Sequence, residues 1–142
     1  MKEYQDYFFI SKIIINDVLN TGRTIKGLAY ATKKYLFVVP EKVEDMGGVI
    51  ARMNFDVDKL KSLVLQIDDI QPGMFELNMM EVVPAEYVYP FANFEKFDVN
   101  VGFFIFGGVR IKIKGKKLQS ATVGNAKIRQ QLKDFVSDIQ MG

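Results

Sequence analysis

The sequence predicts an α+β fold: an antiparallel β-barrel or strongly bent sheet, closed by a C-terminal amphipathic helix and interrupted in the middle by a helical insert. Three observations predict it. Val109-Arg110-Ile111-Lys112-Ile113-Lys114-Gly115 alternates apolar and basic residues with period two, the pattern of a strand with one apolar and one positive face. Ile128, Leu132, Phe135, Val136 and Ile139 recur at helical spacing and form a single apolar stripe. Between these regions and the N-terminal strands, Val57, Leu60, Leu63, Val64 and Ile67 also follow a helical period.

In chain order, Phe8 to Val18 is apolar and β-branched, and the Asn20-Thr21-Gly22 cluster turns it, so it reads as a first strand. Arg23 to Ala31 reads as a second strand. Tyr35 to Val39 reads as a third, ended by Pro40, which completes a meander. Glu41 to Met53 reads as a long loop, with a weak strand at Val49 to Met53 as the alternative. Asp56 is placed to cap the helix that follows, and Asp68-Asp69 ends it. Pro72 opens a second helix through Met74, Leu77, Met80 and Glu81, which Pro84 stops. Strands return at Tyr87 to Tyr89, at Phe97 to Phe103, and from Phe104 through Lys114 with a bulge or bend at Gly107-Gly108. A short strand from Leu118 to Val123 precedes the last helix, capped by Asn125. With 142 residues and no linker or repeat, the expectation is one domain over 1–142 with the insert at about 54–84.

Composition excludes several chemistries. Zero Cys and zero His remove disulfides, thiolate nucleophiles, Cys/His zinc sites and the Ser-His-Asp triad. What remains for catalysis is carboxylates, Lys, Tyr and backbone amides. No stretch approaches the roughly 18 consecutive apolar residues of a membrane span, and no secretory signal is visible, so the expected location is the cytoplasm. The net charge is only +2, yet it is unevenly placed. Residues 41–98 carry 5 basic and 12 acidic side chains, while the flanks together carry 14 basic and 5 acidic, so a positive frame holds an acidic middle.

Two stretches carry a resemblance. Gly27-Leu28-Ala29-Tyr30-Ala31-Thr32-Lys33-Lys34-Tyr35-Leu36-Phe37-Val38 looks like a hairpin with a Gly, a turn Thr, basic residues and an apolar strand. Tyr87-Val88-Tyr89 to Val123, followed by the final helix, gives an extended entry, a strand and a hairpin in the matching order. Three strands, an insert, more strands and one terminal helix resemble the pleckstrin-homology-like barrel, particularly its bacterial and GRAM-type relatives. The likeness covers a little over half of the chain, and the helical insert at 41–86 departs from it. It implies a non-enzymatic interaction module that acts through protein contacts and self-association. An anionic-lipid or phosphoinositide binder is the alternative it implies.

Candidate sites follow from both readings. For lipid or another anion they are Lys12, Arg23 and Lys26 around the first hairpin and Arg110, Lys112 and Lys114 on the basic strand; the family's basic-then-Arg spacing is absent after Arg23, where Thr24 and Ile25 stand. The basic strand also reads simply as a solvated face. Phe103, Phe104 and Phe106, with Ile105 between them, exceed what one face of a strand can bury, which points to an interface. The aromatic cluster from Tyr87 to Phe97 reads mostly as core. An enzyme would need a polar pocket around Glu81, Glu86 or Tyr87. Asp56-x-Asp58 and Asp68-Asp69 lack the ligand spacing of a calcium loop, so no metal and no cofactor are expected. The small net charge and the lack of a basic, aromatic stacking platform speak against nucleic acid.

Overall fold

β-Branched residues dominate the first strand, β1 (Phe8–Asp17), which pairs antiparallel with β2 (Arg23–Ala31) across the predicted turn. The computed structural model describes residues 7–17, 19–45, 56–67, 74–103, 106–137 and 139. Beyond the meander come two helices, α1 (Val57–Gln66) and α2 (Met74–Val82), then β4 (Val88–Pro90), β5 (Phe94–Phe103), β6 (Phe106–Ile113), β7 (Gln119–Val123) and the C-terminal helix α3 (Ala126–Val136). The strands form one seven-stranded antiparallel sheet, ordered β4-β3-β2-β1-β7-β6-β5 and curled into a half-barrel. The α+β class, the bent sheet, the C-terminal helix and the helices between strands are therefore as the sequence predicts.

The third strand is longer than its apolar run. β3 (Tyr35–Asp45) continues through Pro40, which was expected to end it, and takes up residues expected in a loop. A register shift between Lys26 and Gly27 explains this: Gly27 pairs with Pro40 and Lys26 with Lys42, leaving Glu41 as the extra residue of a bulge. At a bulge a proline's missing N–H costs no ladder bond. The alternative strand at Val49 to Met53 lies outside the described residues, as do Asp68-Asp69 and Pro72.

Leu36, Phe37, Val38 and Val39 are all buried, so β3 is covered on both faces. The insert covers one of them. Phe75 of α2 stacks on Tyr7 with ring centroids 4.0 Å apart and lies 5.5 Å from Tyr30, whose register partner is Phe37. Among the described residues, two polar ties fix the insert. Thr32 Oγ1 donates to Glu76 Oε2 at 2.6 Å, and Lys61 pairs with Glu41 at 2.5 Å. Asp56 caps α1 as expected, accepting from the Lys59 amide.

The helix faces need correction. Of the stripe predicted for α1, Leu60 and Val64 are buried while Leu63 is exposed. In α2 the buried residues are Phe75 and Met79, whereas Met74, Leu77 and Met80, which traced the expected helix, are exposed. Because α2 is apolar nearly all round, its periodicity does not distinguish one face from the other.

At the other end, Asn125 caps α3 through the Ile128 amide, and Leu132 and Val136 are buried with Ile128, Phe135 and Ile139 packed beside them. Phe103 ends β5, as the sequence predicts, and Phe106 begins β6 as its register partner, so these two phenylalanines lie on two paired strands and not on one. The irregularity predicted at Gly107-Gly108 falls across from them, between Asn100 and Phe103.

Candidate functional site

The basic residues singled out by spacing are not gathered into one site. Arg23 and Asp45 are register partners at the ends of β2 and β3, with Nε to Oδ1 at 2.8 Å. Lys26, three positions along the same strand, points to the opposite face and pairs with Glu44 at 2.7 Å. That hydrogen bond holds the Glu44 carboxyl below the usual carboxylate range, with Lys42 adding to it. Lys12 is exposed in the bulge of β1 between Ile10 and Ile13. On the basic strand, Arg110 lies across from Asp98, and Lys112 reaches Glu95 at 3.4 Å and the Ile113 carbonyl at 3.2 Å. Lys114 and Lys116 are exposed and make no ion pair among the described residues. Acidic neighbours thus offset most of the positive face that the sequence displays.

A cleft opens where β4 approaches the end of β6 without pairing to it. Its volume is about 460 Å³, with Val88, Pro90, Phe94 and Ile113 as apolar walls and Glu86, Tyr89, Lys114 and Lys116 as polar groups. A smaller hollow of about 190 Å³ shares Glu86, Tyr89 and Lys116 with it and reaches Asp17, Arg23 and Tyr87. Burial pushes the Tyr89 phenol well above its ordinary value, and the Asp17 carboxylate pushes it the same way. Tyr87 is raised by burial and then by Glu86. Near neutral pH both phenols are therefore hydrogen-bond donors and not bases. Asp17 is already engaged, accepting from Asn20 Nδ2 at 2.7 Å and from the Thr21 hydroxyl at 3.2 Å. Glu81 is exposed on α2 and does not line the cleft. Among the described residues no three acidic side chains come close enough to hold a metal ion.

Apolar exposure is concentrated on the insert. Leu63 and Leu65 on α1, and Met74, Leu77 and Met80 on α2, are all exposed, Leu65 to 76% and Leu77 to 59%. Phe103, at the hairpin tip, is 62% exposed. Phe104, Ile105 and the side chain of Phe106 lie outside the described residues. No helix among the described residues is long and apolar enough to cross a membrane.

The chain matches no protein family, no curated protein and no solved structure. Two features were missed by sequence reasoning. One is Arg129, fully buried on the inner face of α3, where it donates to the Val101, Val123 and Gly124 carbonyls at 2.6, 3.0 and 2.9 Å. Its place one residue after Ile128 and three before Leu132 on the apolar stripe was the available signal. The other is the outer face of α2, whose signal was the excess of apolar residues around the whole helix.

Proposed function

We propose that the protein is a non-enzymatic, pleckstrin-homology-like interaction module that acts through protein contacts, self-association among them, and that the outer face of α1 and α2 is its docking surface for a partner. The observation that carries this is the exposure of five large apolar side chains, Leu63, Leu65, Met74, Leu77 and Met80, on two adjacent helices. A solvated helix would place polar residues there. Methionines on such a face adapt to partners of differing shape. The surrounding segment is acidic, so the partner chemistry that fits is an amphipathic helix with basic flanks. The element order supports the resemblance: three strands, an insert, four strands and a terminal helix.

Against the lipid alternative stand the ion pairs of Arg23, Lys26 and Lys112 and the separation of Arg23 from Lys26 across two faces. Against an enzyme stand the raised phenols of the cleft and a carboxylate, Asp17, bound up in its own turn. The test is fluorescence anisotropy of a labelled basic amphipathic peptide. The protein binds it, Leu77→Glu and Met80→Glu each weaken binding by about tenfold or more, and a peptide with its apolar order scrambled does not bind. Equal binding by the protein and both variants, or no binding at all, would overturn the proposal.

A further inference from the structure

The half-barrel leaves β5 as an edge strand of ten residues. The opposite edge, β4, has only three residues and ends in Pro90, a short and blunted edge of the usual protected kind. β5 is not protected in that way. One side of it pairs with β6, and among the described residues no strand pairs with the other side between Phe94 and Asn100. Its C-terminal part is closed, because the Val101 carbonyl accepts from Arg129 and Gly102 sits in a bulge with φ of 53°.

We infer that β5 is a self-complementary edge that joins a second copy of this chain, antiparallel, with the two-fold axis passing through Phe97. The inference deepens the self-association half of the function proposed above. It uses a surface other than the helical face.

Register and charge together place the axis. A two-fold axis normal to a continuous antiparallel sheet keeps inward residues beside inward residues, so it must pass through a residue and not between two. Centring on Glu95, Lys96 or Asp98 sets that charge against its own copy, and like charges directly across a ladder repel. Centring on Phe97 places Lys96 of each copy opposite Asp98 of the other, twice, on the outward face where both are exposed. On the inward face it places Phe97, half-buried beside Phe91 and Phe94, next to its own counterpart.

The chain's own pairing leaves Lys96 poorly matched, while Asp98 lies across from Arg110. Lys96 lies across from Lys112 on β6, and its contact with Asp98 within the strand is 4.0 Å. A copy's Asp98 would give Lys96 the opposite charge that β6 does not provide.

The experiment is sedimentation equilibrium over a rising concentration series with the protein, Lys96→Asp, Asp98→Lys and a 1:1 mixture of the two variants. Each single variant places like charges across the junction at both positions, and the mixture restores opposite charges at both. The expected result is a dimer for the protein, monomers for each variant and a dimer for the mixture. The double variant Lys96→Asp/Asp98→Lys, which keeps opposite charges within the strand, is expected to form dimers with itself. A protein that stays monomeric, single variants that dimerise as well as the parent, or a mixture and a double variant that both remain monomeric would overturn the inference. Loss of peptide binding by Leu77→Glu with dimerisation intact, or the reverse, shows which of the two surfaces has failed.

Discussion

At residue 129 a guanidinium with no exposed surface does work that would otherwise fall to water. Its three carbonyl acceptors come from the end of β7 at Val123 and Gly124 and from β5 at Val101, so one side chain ties α3 to β7 and to the edge strand β5. Gly107 makes room for it. A Cβ there would collide with Arg129 Nε and lie 2.6 Å from the Asn100 carbonyl oxygen. Arg129→Met removes the donors and strands the carbonyls, with an expected loss of about 3 kcal/mol in denaturant unfolding. Gly107→Ala is expected to lose about 1–3 kcal/mol by crowding the same spot. A loss under ~0.5 kcal/mol for both would contradict this reading. Tyr30, Tyr87 and Tyr89 share another residue-scale property, phenols raised above about 10 chiefly by burial. The unfolded chain releases these protons near its ordinary value while the folded chain holds them, so the stability they add is complete below about pH 10 and falls as pH rises through the folded values. Phenolate absorbance is expected to show Tyr30, Tyr87 and Tyr89 ionising at higher pH in the native protein than in denaturant. Native and denatured titrations of these three that coincide would refute it.

Among the elements, legibility followed the contrast between faces. α3 was readable to its capping residue because Asn125, the apolar stripe and the polar remainder all agree. β2 was readable to both ends because turn residues flank it. α2 was readable as a helix but not by face, since apolar residues surround it and only its docking beside Tyr7 and Tyr30 selects Phe75 and Met79. β3 ran past its apolar segment because a bulge in its pairing with β2, a non-local event, absorbs Pro40. The strand end at Phe103 was legible, but that Phe103 and Phe106 face each other as register partners follows only from the pairing of β5 with β6, which no Asn-Gly or Asp-Gly signal marks. Of the candidate site, Lys12, Arg23 and Lys26 were named from the resemblance and Arg110, Lys112 and Lys114 from strand alternation, and the acidic partners of Arg23, Lys26 and Lys112 become visible only once the register is known. The insert is fastened through few ties, among them the Thr32 hydroxyl, which also accepts from the Tyr35 amide at 3.0 Å. Thr32→Val is expected to lose about 1–2 kcal/mol and to speed hydrogen exchange in α1 and α2 more than in β1 and β2. Equal acceleration throughout would show that the insert opens only with the whole molecule.

For the whole molecule, the organising fact is a division of labour between a sheet and an insert of opposite charge. The sheet's first hairpin and basic strand are largely balanced by their own acidic neighbours, whereas the insert carries acids and an uncovered apolar face together. Binding to a basic helix should therefore weaken as salt rises, but only in part, because apolar contact is not screened. The cleft beside Tyr89 is a second concave feature, and its donors would respond if a small ligand were the true target. A methyl spectrum of leucine- and methionine-labelled protein, recorded as a basic amphipathic peptide is added, separates the two. Shifts are expected at Leu63, Leu65, Met74, Leu77 and Met80 while the buried methyls of Leu36 and Leu132 stay in place. Shifts confined to other methyls, or none at saturating peptide, would contradict it.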